Sequence, residues 1–100
     1  MLRRTARTEH PEAREIVASD HCIARFRQRS PVRDPGIDVV MDALIHALEA
    51  ADVSRVAPAW AVSDRPAELW AATSDLAFPL AKTPQEGRWI AVTCLRREHR

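Results

Sequence analysis

The sequence predicts an α+β fold: two N-terminal helices followed by a mainly antiparallel sheet of about four strands. Three observations carry that expectation. Apolar residues recur with a helical period between residues 37 and 48, the period shortens to two from residue 56 onward, and the alternating stretches are separated by turns of hairpin length. A chain of 100 residues with 46% apolar and 29% charged residues fits one domain with a buried core.

Residues 1–13 carry Arg3, Arg4 and Arg7 without an apolar run and are expected to be a flexible basic arm, leaving residues 14–97 as the domain. Ile16 and Val17 fit either a short strand or an extra turn ahead of the first helix. That helix is predicted over SDHCIARFRQRS, residues 19–30. Ser19 or Asp20 is a suitable N-cap. Cys22, Ile23 and Phe26 gather on one side, and His21, Arg25 and Arg29 climb the flank beside it at four-residue spacing. Pro31 disfavours helical geometry before it and ends the helix near Ser30.

The second helix opens with Asp34 as N-cap and Pro35 in the first helical position. Ile37, Val40, Met41, Leu44, Ile45 and Leu48 form its core stripe, which fades near Ala51. His46 falls opposite the stripe, and Asp38, Asp42 and Glu49 make an acidic outer face.

Val56, Pro58, Trp60 and Val62 alternate with small residues and predict a strand, placed at an edge because Pro58 cannot donate to a ladder. Asp64, Arg65 and Pro66 make a turn before a strand from Leu69 to Thr73. Ser74 and Asp75 break it, and Leu76, Phe78 and Leu80 alternate into the next, where Pro79 marks an edge or a bulge. After a polar turn over residues 83–87, the near-continuous apolar run RWIAVTCLR, residues 88–96, predicts a central strand covered on both faces. Trp60, Trp70 and Trp89 all fall on expected strands, where core packing is the reading and stacking on a base the lesser alternative.

Charge is unevenly distributed although the net is only +1. Residues 1–33 hold eight arginines against Glu9, Glu12, Glu15 and Asp20, whereas residues 34–86 hold three cations against nine carboxylates. Residues 87–100 return to four arginines against Glu98. Two basic ends that met in space would attract a polyanion. No secretory or membrane-spanning pattern is readable, so a cytoplasmic location is the default and no membrane partner is expected. Cys22 and Cys94 lack CxxC spacing and are expected to be buried small hydrophobes.

Chemistry follows by elimination. Gly36 and Gly87 are the only glycines and neither sits in a phosphate-binding loop, so no nucleotide cofactor is expected. His10, His21, His46 and His99 have no ligand spacing, and no metal is expected. There is no tyrosine, and adjacent helical residues such as His21 and Cys22 point about 100° apart, a poor nucleophile and base pair. What remains is metal-free acid and base chemistry on an anion, with His21 as proton carrier and Arg25 and Arg29 as phosphate clamp. The competing reading is a solvated helix face, with Glu15 and Asp20 as surface partners.

The stretch ASDHCIARFRQR resembles the S-x-H-A-x-x-R-x-x-x-R helix of an uncharacterised bacterial family in the small ribonuclease-toxin superfamily of barnase, EndoU, colicin and RelE domains. Ser19, His21, Arg25 and Arg29 fit the helix motif, and Ile90, Val92 and Thr93 fit its closing strand; Cys22 stands where that motif carries Ala. The resemblance implies helices ahead of an antiparallel sheet and a metal-independent endoribonuclease of toxin-antitoxin type. His21, Arg25 and Arg29 are its expected catalytic residues, with Arg88, Thr93 and Arg96 holding the substrate. The RelE-type set of Lys, Arg and Tyr is excluded by the single Lys82 and the missing tyrosine. Expected partners are RNA and an antitoxin or other protein. The alternative is a non-catalytic protein-binding module or a homodimer formed through a sheet edge.

Overall fold

The computed structural model describes residues 5–29, 36–61 and 66–97, with the side chain of Arg29 outside the description. Among the described residues it is α+β, with two helices and a curled mixed sheet of seven strands. The strands are β1 (Ala6–Arg7), β2 (Glu15–Ala18), β3 (Asp52–Ser54), β4 (Leu69–Ala72), β5 (Leu76–Lys82), β6 (Arg88–Ala91) and β7 (Leu95–Arg96). The helices are α1 (Asp20–Arg29) and α2 (Ile37–Ala50). Strand order is β1-β2-β6-β5-β4-β3, with β7 also pairing β5.

This corrects the expected element order and the four-strand antiparallel sheet. Two strands precede the helices, and β2 pairs in parallel with β6, Glu15 opposite Arg88 and Ala18 opposite Ala91. Ile16 and Val17 therefore belong to the sheet. Four residues with one inward pair, Ile16 and Ala18, are too few for a period to distinguish strand from helical turn, and their ladder partner lies more than seventy residues along the chain. Within the segment expected as a free arm, Ala6 and Ala13 are buried, and Trp89 Nε1 donates to the Glu12 carbonyl (2.9 Å).

The strand expected over residues 56–62 is not formed over its described part. The edge strand is β3, before it. Val56 is 76% exposed, and the Pro58 carbonyl accepts the Ala61 N–H in a turn that carries Trp60 (2.9 Å). Proline's missing donor ends the alternation; residues 62–65 lie outside the described residues. The long final strand is also divided. Arg88 and Ile90 are half-buried while Trp89 and Ala91 are buried, so β6 is central but covered on the helix-bearing face.

The division has a clear cause. In the β5–β6 register Pro79 stands opposite Val92, and its carbonyl accepts the Val92 N–H (3.0 Å), but proline has no N–H to return to the Val92 carbonyl. Two residues farther along, Leu95 stands opposite Ala77, one step out of the first register. Thr93 and Cys94 together therefore oppose Phe78, which is a β-bulge.

Ser19 takes the carbonyl that Pro79 leaves. Its Oγ–H donates to the Val92 carbonyl (2.8 Å) and the same oxygen accepts the Cys22 N–H (3.0 Å), making Ser19 the N-cap of α1. Its backbone N–H extends the parallel ladder to the Ala91 carbonyl (3.0 Å). Chain direction thus reverses at Ser19, and α1 lays Cys22 and Phe26 into the core formed by Ile16, Phe78, Leu80, Trp89 and Ala91.

Helix α2 adds Val40, Leu44, Ile45 and Leu48, as its stripe predicts. Ile37, at the open first turn, is 53% exposed. The N-cap is Gly36, while the expected cap at Asp34 and Pro35 lies outside the described residues. His46 is exposed on the outer side. At the β5–β6 turn Gly87 adopts a φ of 82°, and a Cβ there would stand 3.1 Å from the Arg14 guanidinium, two reasons for glycine.

Replacing Ser19 by alanine removes a cap and strands the Val92 carbonyl. Ser19→Ala should lower stability by about 1–3 kcal/mol in urea unfolding, with Ser19→Thr recovering most of it. An unchanged urea midpoint would show that this clamp contributes nothing.

Candidate functional site

The Ser19 clamp fixes the first turn of α1 beside the end of β6. His21, two residues past the cap, is exposed, and Arg25, one turn on, is exposed on the same flank. Residues at that spacing hold their Cβ atoms about 5–6 Å apart. Arg29 closes α1, its side chain lying outside the described residues. Thr93 is half-buried in the bulge immediately after the clamped Val92.

Arg96 is exposed on β7 opposite Leu76, whose side chain packs against the core. Directly paired residues share a face, so Arg96 emerges on the helix-bearing side, at the end of the sheet where β6 finishes. His21, Thr93 and Arg96 therefore belong to one end of the molecule, with Arg25 one turn along α1.

Arg88 does not join them. It begins β6, three residues or about 10 Å of strand from Ala91, and alternation turns it to the opposite face from Trp89. There Nε and Nη2 both reach one oxygen of Glu15 (3.2 and 3.0 Å), its direct partner in the parallel ladder. In the competing reading Glu15 is a surface partner of the α1 face; its described side-chain partner is Arg88.

Three clefts on the molecule, two at Arg14 and one between β1 and β3, have none of His21, Arg25, Thr93 or Arg96 in their lining. His21 and Arg25 are exposed on the α1 edge. The clefts lie elsewhere. Two of them, of 330 and 400 Å³, flank Arg14 where its side chain crosses Gly87, and Arg88 and Lys82 line the first. Sequence reasoning missed Arg14; the one signal was a glycine in a turn, without any hint of what would lie over it. Among the described residues no three His, Cys, Asp or Glu side chains gather as a metal would require, and no helix is long and apolar enough to cross a membrane.

Cys22, beside His21 in sequence, points the other way. It is fully buried, and burial, then the nearby Cys94, pushes its thiol from an ordinary 9.0 up to about 12. A thiol so held is inert rather than nucleophilic. The other ionisable side chains described on α1 are Asp20, His21, Arg25 and Arg27.

Trp70 and Trp89 are buried and Trp60 is half-buried in its turn, so the first two serve packing. No protein-family model, curated protein or solved structure matches the chain.

The Cys22 environment makes stability pH-dependent in a defined direction. The unfolded chain loses this proton near 9.0 and the folded one near 12, so the thiol's contribution is intact below pH 9.0 and is lost as pH rises from there toward 12. Urea unfolding across that range should show the decline, and Cys22→Ala should reduce it. At about pH 8 an aromatic disulfide reagent should label Cys22 only upon unfolding.

Proposed function

We propose that this domain is a metal-independent endoribonuclease of toxin-antitoxin type, acting in the cytoplasm, with the exposed edge of α1 as its reaction surface. The observation that carries the reading is the arrangement of His21 and Arg25, both exposed on one flank of a helix whose first turn is pinned by Ser19 to the strand end bearing Thr93.

RNA supplies its own nucleophile. In the proposed reaction His21 takes the proton of the 2′-hydroxyl as that oxygen attacks phosphorus. The bond from phosphorus to the 5′-oxygen breaks, and the leaving oxygen receives a proton from the imidazolium or from water. The products are a 2′,3′-cyclic phosphate and a 5′-hydroxyl end. Arg25 and Arg29 stabilise the charge that builds on the phosphate oxygens, and Arg96 and Thr93 hold the neighbouring backbone. Arg88, engaged with Glu15 at the far end of β6, has no part in this scheme. A protein-binding role, the other expectation, is favoured by a separate feature, the outer edge of β3, which pairs with no other strand among the described residues.

Because His21 is exposed, His21→Ala should leave the fold intact while reducing RNA cleavage by roughly 10²-fold or more, the usual worth of a general acid or base. Arg25→Ala should lower cleavage and also weaken retention on RNA in a salt-dependent way. Full cleavage by the histidine variant, measured on a labelled RNA, would remove the proposal.

A further inference from the structure

The curled sheet leaves its two outer strands, β1 and β3, bordering one cleft of 460 Å³. Arg7, Glu9 and His10 form one wall and Glu49, Asp52 and Val53 the other. Just beyond these walls the Arg55 guanidinium joins the Glu12 carboxylate.

The ladder dictates which backbone groups face this cleft. Thr73 N–H bonds the Leu76 carbonyl (2.8 Å), so Thr73, Ala71 and Leu69 of the β4 segment turn their groups toward β5, and Ala72 and Trp70 turn theirs toward β3. Asp52 and Ser54, opposite Ala72 and Trp70, therefore make the β3–β4 bonds. Val53 between them points its N–H and C=O outward, while its side chain packs against the core. On the other wall Thr8 N–H bonds the Arg14 carbonyl (2.9 Å), so Arg7 faces outward, and its N–H meets the Glu49 carboxylate (3.3 Å).

We infer that this cleft is a docking slot for an extended, basic segment of a partner protein, which pairs antiparallel with β3 through the N–H and C=O of Val53. Strand addition supplies main-chain hydrogen bonds, and the side chains of the walls supply selectivity. The described lining carries Glu9, Glu49 and Asp52 against one arginine, Arg7, an excess of negative charge that selects lysine or arginine on the incoming strand. Residues 7–10 stand across the cleft from β3, so an incoming strand on Val53 would lie between two walls of this chain. This inference does not rest on the α1 reading, since neither His21 nor Arg25 lines the slot.

The test uses the full chain and a capped synthetic peptide of about ten residues, valine alternating with lysine and threonine, with a glutamate-for-lysine version as control. The lysine peptide should bind saturably, slow hydrogen exchange at the Val53 amide, and bind at least about tenfold more tightly than the glutamate version. Val53→Pro removes an outward N–H that β4 does not use; it should lower stability somewhat, because the valine side chain packs against the core, and weaken the peptide at least about tenfold. Exchange at Val53 needs no variant and decides the matter should that protein fail to fold. Absence of saturable binding, unchanged exchange at Val53, or equal binding by Val53→Pro would overturn the inference. Val53 protection that rises with protein concentration in the absence of peptide would overturn it too, by showing that a second copy occupies the edge.

Discussion

A hydroxyl standing between an amide and a carbonyl organises this fold. The Ser19 side chain donates to Val92 and accepts from Cys22, while its own N–H bonds Ala91. One residue thus ends a parallel ladder, caps a helix and completes the hydrogen bonding of a strand more than seventy residues away. The need arises on the neighbouring strand, because Pro79 accepts from Val92 and cannot donate back. An unpaired carbonyl in a half-buried strand carries a desolvation penalty, and the serine removes it.

The same missing N–H shapes what surrounds the helix edge. With no reciprocal bond at Pro79, the last segment slips by one residue, bulges at Thr93 and Cys94, and resumes as β7. The bulge leaves Cys94 in the core, close enough to Cys22 to raise its thiol further, and leaves Thr93 half-buried next to the first turn of α1. That the first turn of α1 lies beside the strand end bearing Thr93 is thus a consequence of backbone and capping hydrogen bonds.

Electrostatics follow topology as well. The basic segments at the two ends of the chain do become neighbours, since β2 and β6 are parallel partners. Their charges are partly neutralised on contact: Glu15 takes Arg88, and Glu12 takes Arg55 from beyond α2. Both pairs are partly exposed to water and contribute little to stability, but they engage the Arg88 and Arg55 guanidinium groups. Arg88 is withdrawn by its pairing, whereas Arg25 stays on the open flank of α1.

The sequence by itself determined the two helices, the core stripe from Val40 to Leu48, the strands beginning at Leu69 and Leu76, the turns between them and the common flank of His21 and Arg25. Those features are set by spacing within one element, where 3.6 or two residues per repeat dictate which side chains meet. Only the tertiary structure decided that Ile16 joins the sheet, that residues after Ser54 leave it, that Arg88 and His21 lie at different ends, and that β1 and β3 border one cleft. Each depends on a partner distant in the chain, and a four-residue strand carries too little periodicity to announce that partner in advance. Pro79 shows the boundary between the two kinds of information. Its local meaning, an edge or a bulge, was legible, but the carbonyl it would orphan and the serine that would answer it became visible only when the strands were paired.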